Sequence, residues 1–110
     1  MSYNILTTPD FEKELRQLSR KYPSLKKDFS ELVLTLKDNP VQGDALGKSC
    51  YKIRLAIKSK GKGKRGGARV ITYVAIVHET VYLLSIYDKS EKESITDGEL
   101  KTLLDKLPGN

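Results

Sequence analysis

Apolar and polar positions in the first third of the chain repeat with the spacing of two helices. Thr8 and Pro9 supply a helix start, with proline at the first helical position, and apolar residues recur at helical spacing as far as Tyr22. Pro23 breaks this helix and opens a second one, which stops before Pro40. Because the connection between them is short, the two helices should form a hairpin.

β-Branched and aromatic residues dominate the remaining regular segments and indicate strands. A loop over 40–47, a glycine-rich basic link at Ser59–Gly67 and a tight turn at His78-Glu79 separate these segments. The predicted strands are Tyr3–Leu6, Cys50–Lys58, Ala68–Val77 and Thr80–Tyr87.

The order of these elements predicts an α+β fold. Thr96 and Glu99 form a capping box that starts a last short helix, which Pro108-Gly109 ends. The resulting order, β-α-α-β-β-β-α, favours a mainly antiparallel sheet with the helical hairpin packed on one face and the other face at least partly open. The length of 110 residues suits one compact domain over residues 1–110.

Composition narrows the class of protein further. No segment approaches the roughly 20 apolar residues that span a bilayer, and the N-terminus lacks the pattern of a secretory signal, so we expect a cytoplasmic protein away from membranes. Cys50, the only cysteine, is interpreted as a packing residue. With His78 as the only histidine, we expect no metal site, no cofactor and no histidine acid–base chemistry.

The positive charge is concentrated in one region. The chain carries a net charge of +6, and Ala45–His78 holds nine of its 20 basic residues and no acidic residue. The rest of the chain contains 11 basic and 14 acidic residues, a net of −3. This distribution indicates a slightly acidic scaffold with a basic surface that attracts a polyanion, of which nucleic acid is the foremost candidate.

Strand alternation predicts which basic side chains share the open face. Lys52, Arg54 and Lys58 point one way, while the apolar positions between them point toward the helices. In the basic link, glycines allow close approach of the backbone to a phosphate chain and lysines supply charge. The candidate RNA-binding residues are Lys48, Lys58, Lys60, Lys62, Lys64, Arg65 and Tyr73.

The ends of neighbouring strands predict a catalytic cluster. Arg69 opens one strand, with its side chain expected on the open face outside the core, and Tyr87 and Lys89 end the next strand, so all three could converge with Lys52 and Arg54. RNA carries its own nucleophile, the 2′-hydroxyl. Arginines can grip the phosphate, a lysine crowded by like charges could act as a base, and Tyr87 could stack on a base or handle a proton.

Three segments resemble the RelE/ParE toxin superfamily, and within it the HigB and RelE messenger-RNA interferases. They are SCYKIRL at 49–55, GKGKRGGARVI at 61–71 and YLLSIYDK at 82–89. The resemblance implies a small α+β toxin that enters the A site of the 70S ribosome and cuts the messenger-RNA codon there. It also implies a cognate antitoxin, which we expect to be a helix-turn-helix DNA-binding protein.

By position, the resemblance assigns Lys52 and Arg54 to a basic pair on the sheet. It assigns Arg69 to the arginine that opens the following strand and Lys89 to a basic residue after the last strand. Some RelE members carry a catalytic tyrosine in the C-terminal segment, whereas residues 92–96 here contain none. Tyr87 is the nearest substitute.

Two other functions remain open at this stage. A gyrase-poisoning toxin of the ParE branch would share the fold, although the dense basic set argues against it because such a poison needs no phosphate chemistry. A module that binds RNA or the ribosome without catalysis is the second alternative.

Overall fold

The computed structural model describes residues 2–108, which form a five-stranded sheet and three α-helices. In chain order the elements are β1 (Asn4–Thr7), α1 (Pro9–Lys21), α2 (Leu25–Asp38), β2 (Asp44–Gly47), β3 (Cys50–Leu55), β4 (Ala68–Ala75), β5 (Thr80–Asp88) and α3 (Asp97–Asp105). The α+β class predicted from the element order is confirmed. Across residues 2–108, no helix has the length and apolar character needed to cross a membrane.

The sheet is mixed, with the strand order β1-β5-β4-β3-β2. β1 runs parallel to β5, and all other neighbours are antiparallel. The turn between β4 and β5 includes His78-Glu79, as predicted, but begins at Ile76, so β4 ends two residues before Val77. Consecutive hairpins therefore bring the start of β4 beside the ends of β3 and β5.

Helices α1 and α2 pack on one face of the sheet, which confirms the predicted helical hairpin. Thr8 caps α1 by accepting a hydrogen bond from the Phe11 N–H at 3.2 Å, and Pro9 is the first helical residue. The apolar stripes of both helices bury Phe11, Leu25 and Leu36 completely against the strands. Burial of this surface is the main contribution that holds the hairpin on the sheet.

Helix α3 covers part of the opposite face. Its predicted capping box is present, with Thr96 and Glu99 each accepting a backbone hydrogen bond from the other. Leu100 and Leu107 pack against a second apolar cluster on β4 and β5. The predicted stop at Pro108-Gly109 lies partly outside the described residues.

The segment predicted as a loop over 40–47 contains a strand, β2, that the sequence did not reveal. Lys48 and Ser49 link β2 to β3 and both adopt positive φ angles, 55° and 63°. A two-residue turn of this kind normally uses asparagine or glycine, so its usual sequence signal is absent. β3 also ends at Leu55, three residues before the predicted end.

Candidate nucleic-acid interface

Cross-strand register aligns the predicted cluster. Arg54 on β3 pairs with Arg69 on β4, and Arg69 in turn pairs with Tyr87 on β5. Directly paired residues in antiparallel strands project to the same face, and Lys52 shares that face with Arg54 because it lies two residues away. The register therefore places the backbone positions of Arg54, Arg69 and Tyr87 side by side.

Three of these residues, Lys52, Arg54 and Arg69, line a cavity of about 360 Å³, which we call the basic pocket. Its lining consists of Lys52, Arg54, Arg69, Lys89, Glu93 and Ser94. Four cationic side chains thus face one small volume together with one carboxylate. A cluster of this composition attracts an anion and stabilises negative charge that develops within it.

Arg69 is the most firmly held of the four cations. Its Nη1 donates to the carbonyl oxygens of Lys64 at 2.9 Å and Ala68 at 3.1 Å, and its Nη2 donates to that of Arg65 at 3.2 Å. The expectation that Arg69 stands outside the core is wrong, since the residue is only 4% exposed. Burial, together with the charge of Arg54, lowers the pKa of Arg69.

A buried carboxylate anchors the basic link beside the pocket. Asp88, at the end of β5, accepts hydrogen bonds from Lys60 Nζ and Tyr22 Oη, each at 2.6 Å, and from the Ser90 N–H and hydroxyl. Burial alone would raise the pKa of Asp88, but these hydrogen bonds outweigh it and hold the pKa well below its usual range. No sequence pattern assigned this role to Asp88, and its place directly after the predicted strand Thr80–Tyr87 was the only available signal.

Two of the predicted RNA-binding lysines, Lys58 and Lys60, form ion pairs with carboxylates of the protein. The Lys60 side chain is 10% exposed and is paired with Asp88. Lys58 is not on the open face, because β3 ends before it and the chain enters a 3₁₀ turn over Lys58–Lys60. Its ammonium pairs instead with Glu31 of α2 at 3.2 Å.

The remaining cations of the link are available to a ligand. Lys62, Lys64 and Arg65 are exposed, and none of them forms an ion pair within residues 2–108. The link is closed at its C-terminal end by a 3.1 Å hydrogen bond from the Lys89 N–H to the Gly67 carbonyl. This bond places Lys89 next to the pocket while its side chain remains exposed.

Tyr87 lies in the register row of the arginines but is buried. Tyr87 is 6% exposed and packs with Leu100 and Leu107 in the second apolar cluster. Lys92 Nζ lies 5.4 Å from the centroid of its ring. Burial raises the pKa of Tyr87, although Lys92 acts in the opposite direction. In this structure the phenol is not among the groups that line the basic pocket.

Two predicted binding residues lie away from the pocket. Tyr73, near the other end of β4, stacks on Tyr82 with ring centroids 6.1 Å apart. Lys48 is exposed in the turn between β2 and β3. Conversely, Glu93 and Ser94 line the pocket although no sequence pattern pointed to them.

The single cysteine and histidine occupy the places that the sequence suggested. Cys50 is fully buried, and burial raises the pKa of its thiol to about 11. His78 is exposed in the β4–β5 turn. Among residues 2–108, histidine, cysteine and acidic side chains form no group of three that could hold a metal ion.

The fold and the sequence are similar to those of known toxins. The family model described as the RelE toxin of the RelE/RelB toxin–antitoxin system matches residues 4–107. A mutant of the E. coli toxin RelE, solved in the free state, is similar with a TM-score of 0.65 at 17% identity. This match covers 97% of the present chain and 99% of the other.

Chains from two toxin–antitoxin complexes are also similar. For the intact E. coli RelBE complex the TM-score is 0.61 at 19% identity, covering 79% of this chain and 96% of that one. For the RelBE2 complex from Mycobacterium tuberculosis the TM-score is 0.58 at 17% identity, covering 80% and 99%. At these identities the solved structures establish a shared fold.

Proposed function

The chain belongs to the RelE toxin family of toxin–antitoxin systems, and we propose that it is a ribosome-dependent endoribonuclease that cuts messenger RNA in the ribosomal A site. The observation that carries this proposal is the basic pocket, where Lys52, Arg54, Arg69 and Lys89 face one cavity. The proposed nuclease comprises residues 1–110 as one domain, acts in the cytoplasm and uses no metal ion.

The proposed reaction is attack of a ribose 2′-oxygen on the adjacent phosphorus. The bond between phosphorus and the 5′-oxygen breaks, which leaves a 2′,3′-cyclic phosphate and a 5′-hydroxyl. Arg54 and Arg69 would hold the phosphate oxygens and stabilise the added negative charge. The ammonium of Lys52 or Lys89 would protonate the departing 5′-oxygen, since Tyr87 is buried away from the pocket.

A cognate antitoxin is the proposed protein partner. The similar chains from E. coli and M. tuberculosis come from complexes of a toxin with its antitoxin. We propose that the antitoxin of this chain is a helix-turn-helix protein with an acidic or amphipathic segment over the basic pocket, because opposite charges favour rapid association.

Single-turnover cleavage on saturating amounts of programmed 70S ribosomes tests the nuclease. Arg54→Ala should reduce the cleavage rate roughly 100- to 1000-fold, the usual cost of losing one charge-stabilising contact. Arg54 is exposed and forms no hydrogen bond within residues 2–108, so the fold should survive. Arg16→Ala removes the same charge from α1 and should cleave normally; equal rates for both variants would refute the proposal.

Pulse labelling after induction separates translation inhibition from gyrase poisoning. The proposal requires protein synthesis to fall first. If DNA synthesis fell first while protein synthesis continued, a ParE-type activity would replace it.

A further inference from the structure

One acidic side chain stands among the cations of the basic pocket. Glu93 lines the pocket with Lys52, Arg54, Arg69 and Lys89. Its carboxylate forms no hydrogen bond or ion pair within residues 2–108, although four cations surround the same cavity. An unpaired carboxylate in such a place retains its acceptor capacity for a ligand.

Anchors on both sides hold Glu93 at the pocket. Before it, the N–H groups of Glu91 and Lys92 donate to the Asp88 carbonyl at 3.0 and 3.1 Å, which fixes a turn after β5. After it, the capping box of Thr96 fixes the start of α3. The Lys92 side chain also pairs with Glu99, so the short segment that carries Glu93 is tied to both elements.

The proposed reaction needs a group that accepts a proton, and the Glu93 carboxylate in the lining of the pocket can do so. Lysine ammonium and arginine guanidinium groups donate hydrogen bonds and have no acceptor, whereas an ionised carboxylate accepts. Attack by a 2′-hydroxyl requires a group that takes its proton. We propose that Glu93 is the general base of the nuclease, an inference that rests on the function proposed above.

In this step the 2′-hydroxyl proton moves to a Glu93 carboxylate oxygen as the 2′-oxygen bonds to phosphorus. The bond from phosphorus to the 5′-oxygen breaks, and the ammonium of Lys52 or Lys89 supplies the proton that the leaving oxygen takes up. One proton is accepted and one is donated, so the protein as a whole keeps its charge, and a later transfer through solvent restores both groups.

Other charged groups face the same region, and an experiment must distinguish their effects on cleavage from that of Glu93. Lys52 and Arg54 approach from β3, Arg69 from β4 and Lys89 from the end of β5. Asp44 on β2 is paired in register with Lys52 and is the acidic alternative. It lines a neighbouring cavity of about 620 Å³ beside α2 and not the basic pocket.

The test compares three neutralising variants by single-turnover cleavage on saturating programmed ribosomes across a range of pH. Glu93→Gln should lower the rate at neutral pH by at least about 100-fold, the usual contribution of a general base. Glu91 lies two residues before Glu93 in the sequence and forms an exposed ion pair with Lys21. Glu91→Gln should therefore cleave within about twofold of the parent chain. Asp44→Asn should behave like Glu91→Gln.

The pH profile supplies the second readout. In the parent chain the rate should fall at acidic pH, because a general base must be unprotonated to accept the 2′-hydroxyl proton, and Glu93→Gln should lose this acidic limb. Normal cleavage by Glu93→Gln would overturn the inference while leaving the nuclease proposal intact. Loss of the acidic limb in Asp44→Asn would assign the role to Asp44. Absence of cleavage by the parent chain would refute the proposed function itself.

Discussion

Arg69 and Asp88 show how single residues keep opposite charges buried beside the basic pocket. Arg69 donates three hydrogen bonds to main-chain carbonyl oxygens, which offsets part of the cost of removing its guanidinium from water. Asp88 is buried with Lys60 and two hydroxyl donors. Both residues therefore fix the position of the basic link, and Arg69 can present its remaining N–H donors to a phosphate in one orientation.

Asp88→Asn should lower the free energy of unfolding by about 3 kcal/mol at pH 7, because the nearly buried Lys60 ammonium loses its counter-charge. The folded chain holds the pKa of Asp88 below the unfolded value of about 3.9. Its contribution is therefore complete above that pH and is lost as the pH falls below it.

Urea titrations at pH 7, 5 and 3 measure the difference in the free energy of unfolding between the parent chain and Asp88→Asn. It should be similar at pH 7 and 5 and smaller at pH 3. Glu91→Gln breaks an exposed pair with Lys21 and should cost less than about 0.5 kcal/mol at pH 7. A difference that grew toward pH 3 would contradict the assigned direction of the Asp88 pKa.

At the scale of elements, backbone contacts of Gly67 position the basic link at its C-terminal end. A Cβ atom added to Gly67 would lie 2.1 Å from the Leu55 carbonyl oxygen, and the Gly67 carbonyl accepts from the Lys89 N–H. Glycine is thus required where the link enters β4. Gly98 in α3 differs, since an added Cβ would meet no atom within 4 Å.

Gly67→Ala should lower the free energy of unfolding by about 2 kcal/mol through overpacking against β3. Gly98→Ala should raise it by about 0.5 kcal/mol, because alanine reduces the freedom of the unfolded chain at an unstrained helical position. Thermal and urea unfolding of the two variants would show these opposite signs. Equal stabilities would mean that the close approach at Gly67 does not constrain the link.

The sequence predicted the elements that carry strong local signals. Thr8-Pro9 and the Thr96–Glu99 capping box marked helix starts, and period-two alternation placed Lys52 and Arg54 on one face. The sequence did not predict β2, whose turn uses Lys48-Ser49. It also did not predict the burial of Arg69, which depends on carbonyl groups of Lys64 and Arg65 in the basic link. Contacts between segments that are distant in the sequence, such as that of Lys60 with Asp88, are not predicted by any local sequence pattern.

Across the whole molecule, the excess of positive charge is divided between folding and ligand attraction. Of the nine basic residues between Ala45 and His78, Lys58 and Lys60 are engaged by carboxylates of other elements. Those in the basic pocket and in the link at Lys62, Lys64 and Arg65 remain for a polyanion. The electrostatic footprint on RNA should therefore be smaller than the basic residues of this stretch suggest.

Salt dependence of ribosome binding should distinguish the two groups of lysines. Each lysine that contacts a phosphate releases counterions, so Lys62→Ala should reduce the slope of log affinity against log salt by about one. Lys60→Ala should leave that slope unchanged and instead lower the free energy of unfolding, because its ammonium is paired with buried Asp88. Titrations at several salt concentrations, at a temperature where every variant is folded, measure the slopes. Equal reductions for both variants would show that Lys60 leaves Asp88 when RNA binds, and an unchanged slope for both would place the RNA contact away from the basic link.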